Sequence, residues 1–482
     1  MLVGVLVALV LLGLVVGIRT SRFSSRQVNA SGVERMSLSA DTVSERLSQA
    51  VRFVTISGAD AAVFRTFHAF LRDSFPRVFS ALTMVVEPTD SSQAMCLEWP
   101  GRDASLPPIL FLAHQDVVPV EPETEQAWES PPFEGRITNG FVYGRGTMDD
   151  KGCLITLLTA AETLLGEGFQ PERTIYFGLG DDEEMGGTGA QRIAETLRGN
   201  GVHLAFVLDE GLAVTEGYLP GFKVPVALIG IAEKGSALVE LTATADGGHA
   251  SMPPRPTASG LLAEAIRALE KHPMPATLNG PTRSMLEFLA PEAHFPLNMV
   301  FANLWLFAPI VKANLAKKPA TEATLHTTGA VVRLEGGVKD NVVPSEARAV
   351  VNFRIQPGDA VADVVRHVER IVDTTHIHVK LLPGSREPSP ISSPETPSFK
   401  LIAGVIREVF PGAVVAPALV LGGTDSRQFA GMADAVYRFL PLRFQLGDDA
   451  RIHGTNERVS VRNVAEMTRF YHAVISATAA SR

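Results

Sequence analysis

Three segments of the chain place histidine or acidic side chains directly after a short apolar run. They are His114-Gln115-Asp116 after Pro108–Ala113, Asp181-Asp182-Glu183-Glu184 after Tyr176–Gly180, and Asp209-Glu210-Gly211 after Ala205–Leu208. A downstream segment, Arg451–Gly454, adds the imidazole of His453. Imidazole and carboxylate ligands without thiolate suit zinc or another divalent first-row metal. A pair of such ions needs a bridging carboxylate, about five protein ligands and one base, and these segments offer that number.

A glycine-rich corner at Tyr143–Gly152 carries two adjacent carboxylates, Asp149 and Asp150, where an amphipathic helix begins. One such turn cannot fill the coordination sphere of a cation. Taken singly, each acidic or histidine segment is most often a turn or a solvated loop. Their joint occurrence, each at the end of an apolar run, favours a shared metal site.

The elements that position these side chains are predicted to form a mostly parallel α/β sheet. Buried-strand candidates at Pro108–Ala113, Arg173–Leu179 and Val202–Leu208 alternate with helical stretches such as Lys151–Leu165. Ligands of such sheets bind in the crevice beyond the carboxyl ends of the strands. The acidic and histidine segments should therefore converge on one place.

The pattern changes at Gly235, where apolar and polar residues alternate as in a strand with one solvated face. Helices over 257–271 and 359–373 and strands over 348–355 and 377–382 complete an α+β unit. This unit is expected to hold a four-stranded antiparallel sheet with helices on one face. The α/β pattern resumes after a segment rich in proline and serine, so the second domain is inserted into the first. The predicted segments are 1–18, a membrane anchor or signal; 19–38, a linker; 39–234 and 385–482, the catalytic domain; and 235–384, the inserted lid.

Length and charge limit the classes of protein to consider. A chain of 482 residues exceeds one compact core, so two domains are expected. A net charge of −9 disfavours nucleic acid as a partner. The two cysteines, Cys96 and Cys153, exclude a cysteine zinc site, and Cys153 lies in an apolar helical pattern typical of a buried thiol.

The first segment is an uninterrupted apolar run of 17 residues, Leu2–Ile18. As a helix it is about 26 Å long and can just span a membrane. Neither a basic start nor a small-x-small cleavage site is obvious, which favours an uncleaved anchor over secretion. Arg19, Arg22 and Arg26 alone would keep the enzyme cytoplasmic by the positive-inside rule. An N-terminal run on such a chain most often delivers it across a membrane, so we expect an extracytoplasmic catalytic domain.

The motifs together resemble the signature of the di-zinc metallopeptidases that include aminoacylase, carboxypeptidase S and glutamate carboxypeptidase. Besides the segments above, the resemblance rests on Gly144–Lys151, Gly248-His249-Ala250-Ser251, Asn341-Val342-Val343-Pro344 and Gly423-Thr424-Asp425-Ser426-Arg427. It covers nearly everything from about residue 40 onward. It implies a zinc-exopeptidase-like catalytic domain, an inserted ferredoxin-like lid or dimerisation domain, and a homodimer through that domain.

The resemblance also implies a set of zinc ligands, with two ions per chain. Asp149 would bridge the ions, one of which would add His114 and Asp209. The other ion would add Glu184 and His453.

The implied catalytic groups lie beside these ligands. Glu183 would be the general base, which takes a proton from water and passes it to the leaving amine. Asp116 would orient His114 through the second ring nitrogen. The family also has a cis peptide bond after the bridging aspartate, here Asp149-Asp150.

Four more residues are implied to contact substrate. His249, in the inserted domain, would polarise the scissile carbonyl, often across a dimer, although it could equally be a turn residue. Asn341 and Arg427 match positions near the substrate, and a guanidinium such as Arg427 pairs with a carboxylate in a bidentate manner. Arg354 is a further candidate, although on an alternating strand it could simply face solvent.

These residues predict a zinc hydrolase, acting in one or both directions, of the amide bond between an acyl group and an amino acid with a free carboxylate. The apolar segment 285–311 suggests a channel for a fatty acyl chain, or alternatively packing of the inserted domain or a dimer interface. A carboxypeptidase or dipeptidase with the same site is the alternative enzyme, acting on short peptides. An inactive binder of amino-acid conjugates is the alternative of another class, and the complete ligand set disfavours it.

Overall fold

The computed structural model describes residues 1–32, 36 and 39–480. The helices are α1 Leu2–Arg22, α2 Ala40–Val51, α3 Ala61–Ser74, α4 Pro76–Ala81, α5 Lys151–Gly166, α6 Thr188–Gly199, α7 Ala258–Lys271, α8 Gly280–Leu289, α9 Leu297–Ala302, α10 Leu304–Leu315, α11 Pro319–Glu322, α12 Val361–Ile371, α13 Pro397–Val409 and α14 Val461–Ala480.

The strands are β1 Thr83–Val86, β2 Met95–Trp99, β3 Ile109–His114, β4 Ile137–Thr138, β5 Phe141–Tyr143, β6 Ile175–Gly180, β7 Phe206–Thr215, β8 Val226–Glu233, β9 Gly235–Thr244, β10 Gly248–His249, β11 Thr328–Gly336, β12 Val342–Val343, β13 Glu346–Ile355, β14 Ile377–Leu381, β15 Val414–Val420, β16 Val436–Phe444 and β17 Arg458–Ser460. They form sheets of eight, four, three and two strands. The expected α/β catalytic domain with an α+β lid is confirmed.

The catalytic domain is built on the eight-stranded mixed sheet, in the order β1-β2-β6-β3-β7-β16-β8-β15. Strands β6, β3, β7 and β16 run parallel to one another, as do β8 and β15, whereas β1 and β2 are antiparallel additions at one edge. Every residue of β3, β6 and β15 is buried, because helices cover both faces of the sheet. Helix α5 lies against α14 and α2 and has 13 buried residues.

The inserted lid has its own four-stranded antiparallel sheet, in the order β11-β13-β9-β14, as expected from the alternating pattern. Helices α7 and α12 pack on this sheet, and the buried residues of all these elements form a separate core cluster. His249 lies outside that core, on the short β10–β12 ladder. The boundaries of the lid at residues 235 and 384 remain predictions.

Helices α8, α9 and α10 lie within the inserted segment, but α8 packs on the catalytic domain, and α9 contacts α8 and α10. Helix α8 contacts β15, and its Phe288 and Leu289 belong to the main core. The ring of Phe288 lies 6.0 Å from that of Phe399 on α13. Chain order alone therefore does not decide with which core a segment packs.

Two local predictions differ from the structure. The sequence Thr42-Val43-Ser44-Glu45 has the pattern of a capping box, which predicts a helix opening there, but it lies inside α2. That helix begins at Ala40 and is capped by Ser39, whose hydroxyl accepts the backbone N–H of Thr42 at 3.4 Å. The strand expected at 202–208 runs instead as β7 from Phe206 to Thr215, because β16 continues to pair with it beyond Asp209. Cys96 and Cys153 are free and buried, as expected for Cys153.

Helix α1 is long and apolar enough to cross a membrane by length and composition, and a signal sequence would meet the same criteria. It is 6% buried over its most apolar window. The N-terminal segment can therefore be a signal anchor or a signal peptide.

Candidate active site

The site lies at the carboxyl ends of β3 and β6, beside the corner that precedes α5. His114 is the last residue of β3, and a 3₁₀ turn over Glu183–Met185 follows β6. The corner brings Asp149 between these two strand ends. The crossover topology of a parallel sheet thus produces the convergence expected from the sequence.

Asp149 stands between two histidines, with one carboxylate oxygen facing each. Its Oδ1 lies 2.9 Å from Nε2 of His114, and its Oδ2 lies 3.0 Å from Nε2 of His453. Oε1 of Glu184 is also 3.0 Å from Nε2 of His453. Hydrogen bonds from the two imidazoles hold the pKa of Asp149 well below its usual range despite its burial, and contact with Asp149 and Glu184 raises the pKa of His453 to about 10. A carboxylate that faces two imidazoles at once has the arrangement required of a ligand that bridges two cations.

Asp116 is a fully buried carboxylate that holds two parts of the site together. Its Oδ1 is 3.2 Å from Nδ1 of His114, and it accepts the Ser57 hydroxyl at 2.6 Å. It also accepts the backbone N–H groups of Glu183 and Glu184, at 3.2 and 3.3 Å. These hydrogen bonds and the imidazole lower the pKa of Asp116 against the opposing effect of burial. Asp116 therefore fixes both the His114 ring and the turn that carries the two glutamates.

Glu457 holds the corner before α5 in place through hydrogen bonds to its backbone, and the sequence alone did not point to this residue. Its buried Oε1 accepts backbone N–H groups of Gly146, Met148 and Asp149 at 3.0, 2.8 and 3.3 Å. Its Oε2 pairs with the buried Arg145 guanidinium at 2.6 Å. The peptide bond between Asp149 and Asp150 is cis, as the resemblance implies. Glu457 sits in the polar stretch before β17, where no apolar pattern marks it as buried.

Glu183 is the acidic residue best suited to carry a proton. Burial, together with the nearby Asp149 and Glu184 carboxylates, raises its pKa to about 8, while His114 and Arg427 oppose the shift. Among the described residues, the side chain of Glu183 makes no direct hydrogen bond to His114 or His453. A carboxyl group with an elevated pKa, next to ligands but not paired with them, can accept and return a proton near neutrality.

In the structure Glu210 faces His114, whereas the resemblance implies Asp209 in that place. The Asp209 carboxylate accepts the backbone N–H groups of Ser426 and Glu210, at 2.7 and 2.9 Å. Oε1 of Glu210 instead lies 3.7 Å from Nε2 of His114. The cause is a bulge in β7, where the pairing with β16 shifts between Asp209 and Leu212. Gly211 accommodates it with φ of 148°, and a Cβ there would lie 2.7 Å from that of Arg438.

Two guanidinium groups meet beside Glu183. Arg427 donates to the carbonyl oxygen of Gly186 at 3.1 Å, and Arg386 donates to the same oxygen at 3.2 Å. The pKa of Arg386 is lowered by burial and by the neighbouring Arg427 charge. Arg427 was expected near substrate, whereas Arg386 lies in the segment rich in proline and serine and was missed. Among the described residues, no carboxylate is hydrogen-bonded to either of the two cations.

The structure does not bring the lid residues to this cluster. His249 is exposed, and its Nδ1 contacts only Ser251 among the described residues, with the hydroxyl at 2.8 Å. Asn341 is exposed next to the same ladder. Arg354 is exposed on β13 and makes no hydrogen bond to the site within the described ranges. Their roles stay predictions.

The donor set fits divalent metal ions. His114, Asp149 and Glu184 form one group whose ligand atoms lie within 4.8 Å of one another, and His114, Asp150 and Glu210 form another. Nitrogen and carboxylate oxygen donors without sulfur match zinc and similar ions. Asp150, whose pKa burial raises to about 8, keeps one oxygen without a hydrogen-bond partner. Fold and site together define a metallohydrolase in which acidic ligands and a separate glutamate surround a cleft.

Comparison with known proteins agrees with this class. The model of peptidase family M20/M25/M40 matches residues 110–477, and the chain belongs to that family of metal-dependent hydrolases of amide and peptide bonds. A similar relative is the N-fatty-acyl-amino acid synthase/hydrolase of Xenopus tropicalis, 41% identical over 438 residues, 89% of this chain and 85% of the relative. A probable carboxypeptidase S-like protein of Dictyostelium discoideum is 36% identical over 99% of this chain and 93% of its own. The expected similarity to both kinds of enzyme is confirmed.

Solved structures agree on the fold. An M20 family metallo-carboxypeptidase from Sulfolobus solfataricus superposes with a TM-score of 0.66 at 18% identity, over 91% of this chain and all of that one. Human carnosine dipeptidase 1 gives a TM-score of 0.59 at 15% identity, over 92% of this chain and 97% of that one. At such identities the likeness shows the architecture alone.

Proposed function

We propose that the chain is a di-zinc hydrolase of the amide bond between an acyl group and an amino acid with a free carboxylate. The observation that carries the proposal is the Asp149 carboxylate placed between His114 and His453, with Glu183 beside it. The reaction can run in either direction, because a catalyst lowers the same barrier for hydrolysis and for synthesis. The catalytic domain is proposed to be extracytoplasmic.

The proposed ligands are Asp149 as the bridge, His114 with Glu210 on one side, and Glu184 with His453 on the other. Glu210 replaces Asp209 in the expected set, because its carboxylate lies toward His114 while that of Asp209 is occupied by two backbone N–H groups. Asp209 then acts indirectly, by fixing the bulge that presents Glu210.

Zinc held by these residues would supply a Lewis acid for the scissile carbonyl and would lower the pKa of water. Glu183 accepts a proton from the attacking water at its carboxylate and returns it to the nitrogen of the leaving amine. Asp116 holds the turn in place during both transfers, through the backbone N–H groups of Glu183 and Glu184. The proton therefore moves over one side chain, whose elevated pKa matches the task.

Arg386 and Arg427 are proposed to bind the carboxylate of the amino acid. Both donate to one carbonyl oxygen, so their remaining N–H groups face a common space near Glu183. A guanidinium pair recognises a planar carboxylate well. The relatives' names, N-fatty-acyl-amino acid synthase/hydrolase and carboxypeptidase S-like, both describe substrates with such a carboxylate.

The fatty acyl class is favoured over the carboxypeptidase class by the similarity to the synthase/hydrolases. The alternative, a carboxypeptidase or dipeptidase with the same site, predicts a preference for short peptides. Zinc-loaded protein assayed with a long-chain N-acyl-amino acid and with a dipeptide of the same amino acid separates them. A higher kcat/KM for the dipeptide would favour the alternative.

His249 is proposed to stabilise the oxyanion, from a second copy of the chain or after the lid closes. Its exposure on the β10–β12 ladder leaves the imidazole free to enter another site. Chains with His249→Ala can be mixed with chains with Glu183→Gln, each inactive alone. The mixture would regain activity only if the histidine of one chain acts in the site of the other chain of a homodimer.

The role of Glu183 is tested with Glu183→Gln. The variant should keep both metals, as measured by metal analysis, and lose activity by orders of magnitude, because the amide cannot accept the proton. The matched control is Glu195→Gln on the exposed face of α6, which should leave activity unchanged. Near-normal turnover of Glu183→Gln would refute the assignment.

The ligand set is tested by comparing Glu210→Gln with Asp209→Asn. Glu210→Gln should lower the zinc content of purified protein, because a ligand oxygen loses its charge. Asp209→Asn keeps an acceptor for the Ser426 N–H, so zinc content should fall less. Greater zinc loss in Asp209→Asn would restore the original assignment.

A further inference from the structure

An exposed apolar surface lies on α10 and on the segment that precedes α9. Phe295 is 77% exposed, Trp305 52% and Ile310 56%. The segment 293–311 contains no Asp, Glu, Lys or Arg. Helix α10 presents Trp305 and Pro309, which are four residues apart on one face, and the exposed Ile310 lies further round the helix. This surface, called here the α10 face, is too apolar to be an ordinary hydrated surface.

The α10 face is continuous with α1. The side-chain amide of the buried Asn303, between α9 and α10, donates to Thr20 Oγ1 at 3.0 Å and to the carbonyl oxygen of Val16 at 3.4 Å. Oδ1 of Asn303 accepts the indole N–H of Trp305 at 3.2 Å. One side chain therefore joins α1 to the residue at the start of the α10 face.

The stretch after α1 is tied to the catalytic domain with little slack. Gln27 exchanges two hydrogen bonds with Val415 of β15, both of 2.8 Å. Arg26 lies over the Phe288 ring at 5.2 Å. Gln27 follows Arg22, the last residue of α1, by five positions, a distance of at most about 18 Å when the chain is fully extended. The catalytic domain must therefore lie close to wherever α1 ends.

The depth of the contact follows from the helix rise. Val16 and Thr20 precede Arg22 by six and two residues, about 9 and 3 Å along the axis. Val16 lies inside the apolar run that ends at Ile18. If α1 spans a bilayer, the α9–α10 junction is level with the boundary between acyl chains and headgroups.

We propose that the α10 face docks on the lipid bilayer in which α1 is anchored, with Trp305 at the level of the headgroups. An indole with an apolar ring and a bonded N–H is typical of that depth. Cations stand at the ends of both helices, Arg19 and Arg22 on α1 and Lys312 after the apolar segment, where they can reach anionic headgroups. The docking does not depend on the proposed reaction.

The test uses the full chain reconstituted into phosphatidylcholine/phosphatidylglycerol vesicles, with or without phospholipid brominated near the headgroup end of its acyl chains. Bromine quenches only indoles close to it. The other two tryptophans, Trp99 and Trp128, are 2% and 8% exposed in the catalytic domain. Brominated vesicles should therefore quench part of the emission, and the matched variant Trp305→Phe should lose that quenching.

Two further measurements make each outcome decisive. Phe295→Asp with Ile310→Asp should reduce the quenching of Trp305 while carbonate extraction still finds the chain in the membrane. Unchanged emission in brominated vesicles, or equal quenching in Trp305→Phe, would overturn the proposal. Release of the wild-type chain by carbonate would overturn it as well, since α1 would then not span. If the wild-type chain shows no quenching and Trp305→Cys cross-links two chains, the α10 face contacts a second copy of the chain instead.

Discussion

Replacing Glu457 by glutamine should impair the active site, because Glu457 holds the corner that carries Asp149. The variant keeps the size of the side chain but removes the charge that faces Arg145, which is 3% exposed. Breaking one partner of a buried ion pair costs about 3–5 kcal/mol, because the other charge stays buried. Arg145 also donates to the carbonyl oxygen of His453, at 3.0 Å. Both Asp149 and His453 therefore depend on this pair.

We expect the free energy of unfolding to fall by about 3 kcal/mol, at the lower end of that range, because the amide oxygen can still accept backbone N–H groups. A shift of about 1 Å in reacting groups costs about 100-fold in rate, so kcat/KM should fall by about that factor. Urea unfolding, steady-state kinetics and zinc content measure the three effects at a temperature where the variant is folded.

The matched control is Glu466→Gln on α14. Glu466 is buried and pairs with Nε of the buried Arg443 at 2.8 Å, but it does not contact the site. It should cost stability without a change in zinc content or kcat/KM. Equal losses of activity in the two variants would mean that Glu457 supports the fold in general and not the corner, which refutes the reasoning.

Three other predictions follow from the same contacts. Arg386→Ala and Arg427→Ala should each lower kcat/KM about tenfold or more for an acyl-amino acid, since a charged hydrogen bond contributes about 1.5–3 kcal/mol. The decrease in kcat/KM should be much smaller for the carboxamide of the same substrate. An equal decrease for both substrates would contradict carboxylate binding. Burial lowers the pKa of Lys234 to about 8, below the usual value of about 10.4, so the unfolded chain binds more protons between these values. Stability should therefore rise with pH from about 8 to about 10, and Lys234→Met should flatten this rise in urea unfolding, whereas an unchanged slope would count against it. Removal of metal with a chelator should lower the melting temperature, and added zinc should restore it. Zinc at 100 times its Kd should raise the free energy of unfolding by about 2.7 kcal/mol. A chelator without effect on melting would argue against bound metal in the native state.

The regular parts of the fold are readable from sequence because their burial is periodic. The lid strand β9 alternates buried and partly exposed residues along its length, and α5 ends close to where glycines interrupt its pattern. Helix α10 is different, because its residues 304–311 include no charged side chain and are apolar on nearly every side. Without a polar face, the pattern identifies neither the helix limits nor the core on which the helix packs.

Within the site, Asp149 and His453 follow a corner and a turn rather than a strand, and the resemblance implied them as ligands. The strand-end rule placed His114 and Glu184 together, because parallel strands share one edge at which their carboxyl ends meet. It could not separate Asp209 from Glu210. Successive residues of a regular strand point to opposite faces, but here two residues of β7, Glu210 and Gly211, lie between neighbouring pairs with β16, so the regular alternation does not decide the choice. Only Gly211, next to the pair, signals that the strand departs from regular pairing there. The zinc contents of Glu210→Gln and Asp209→Asn therefore test more than two side chains, since they measure whether β7 carries its bulge when metal is bound.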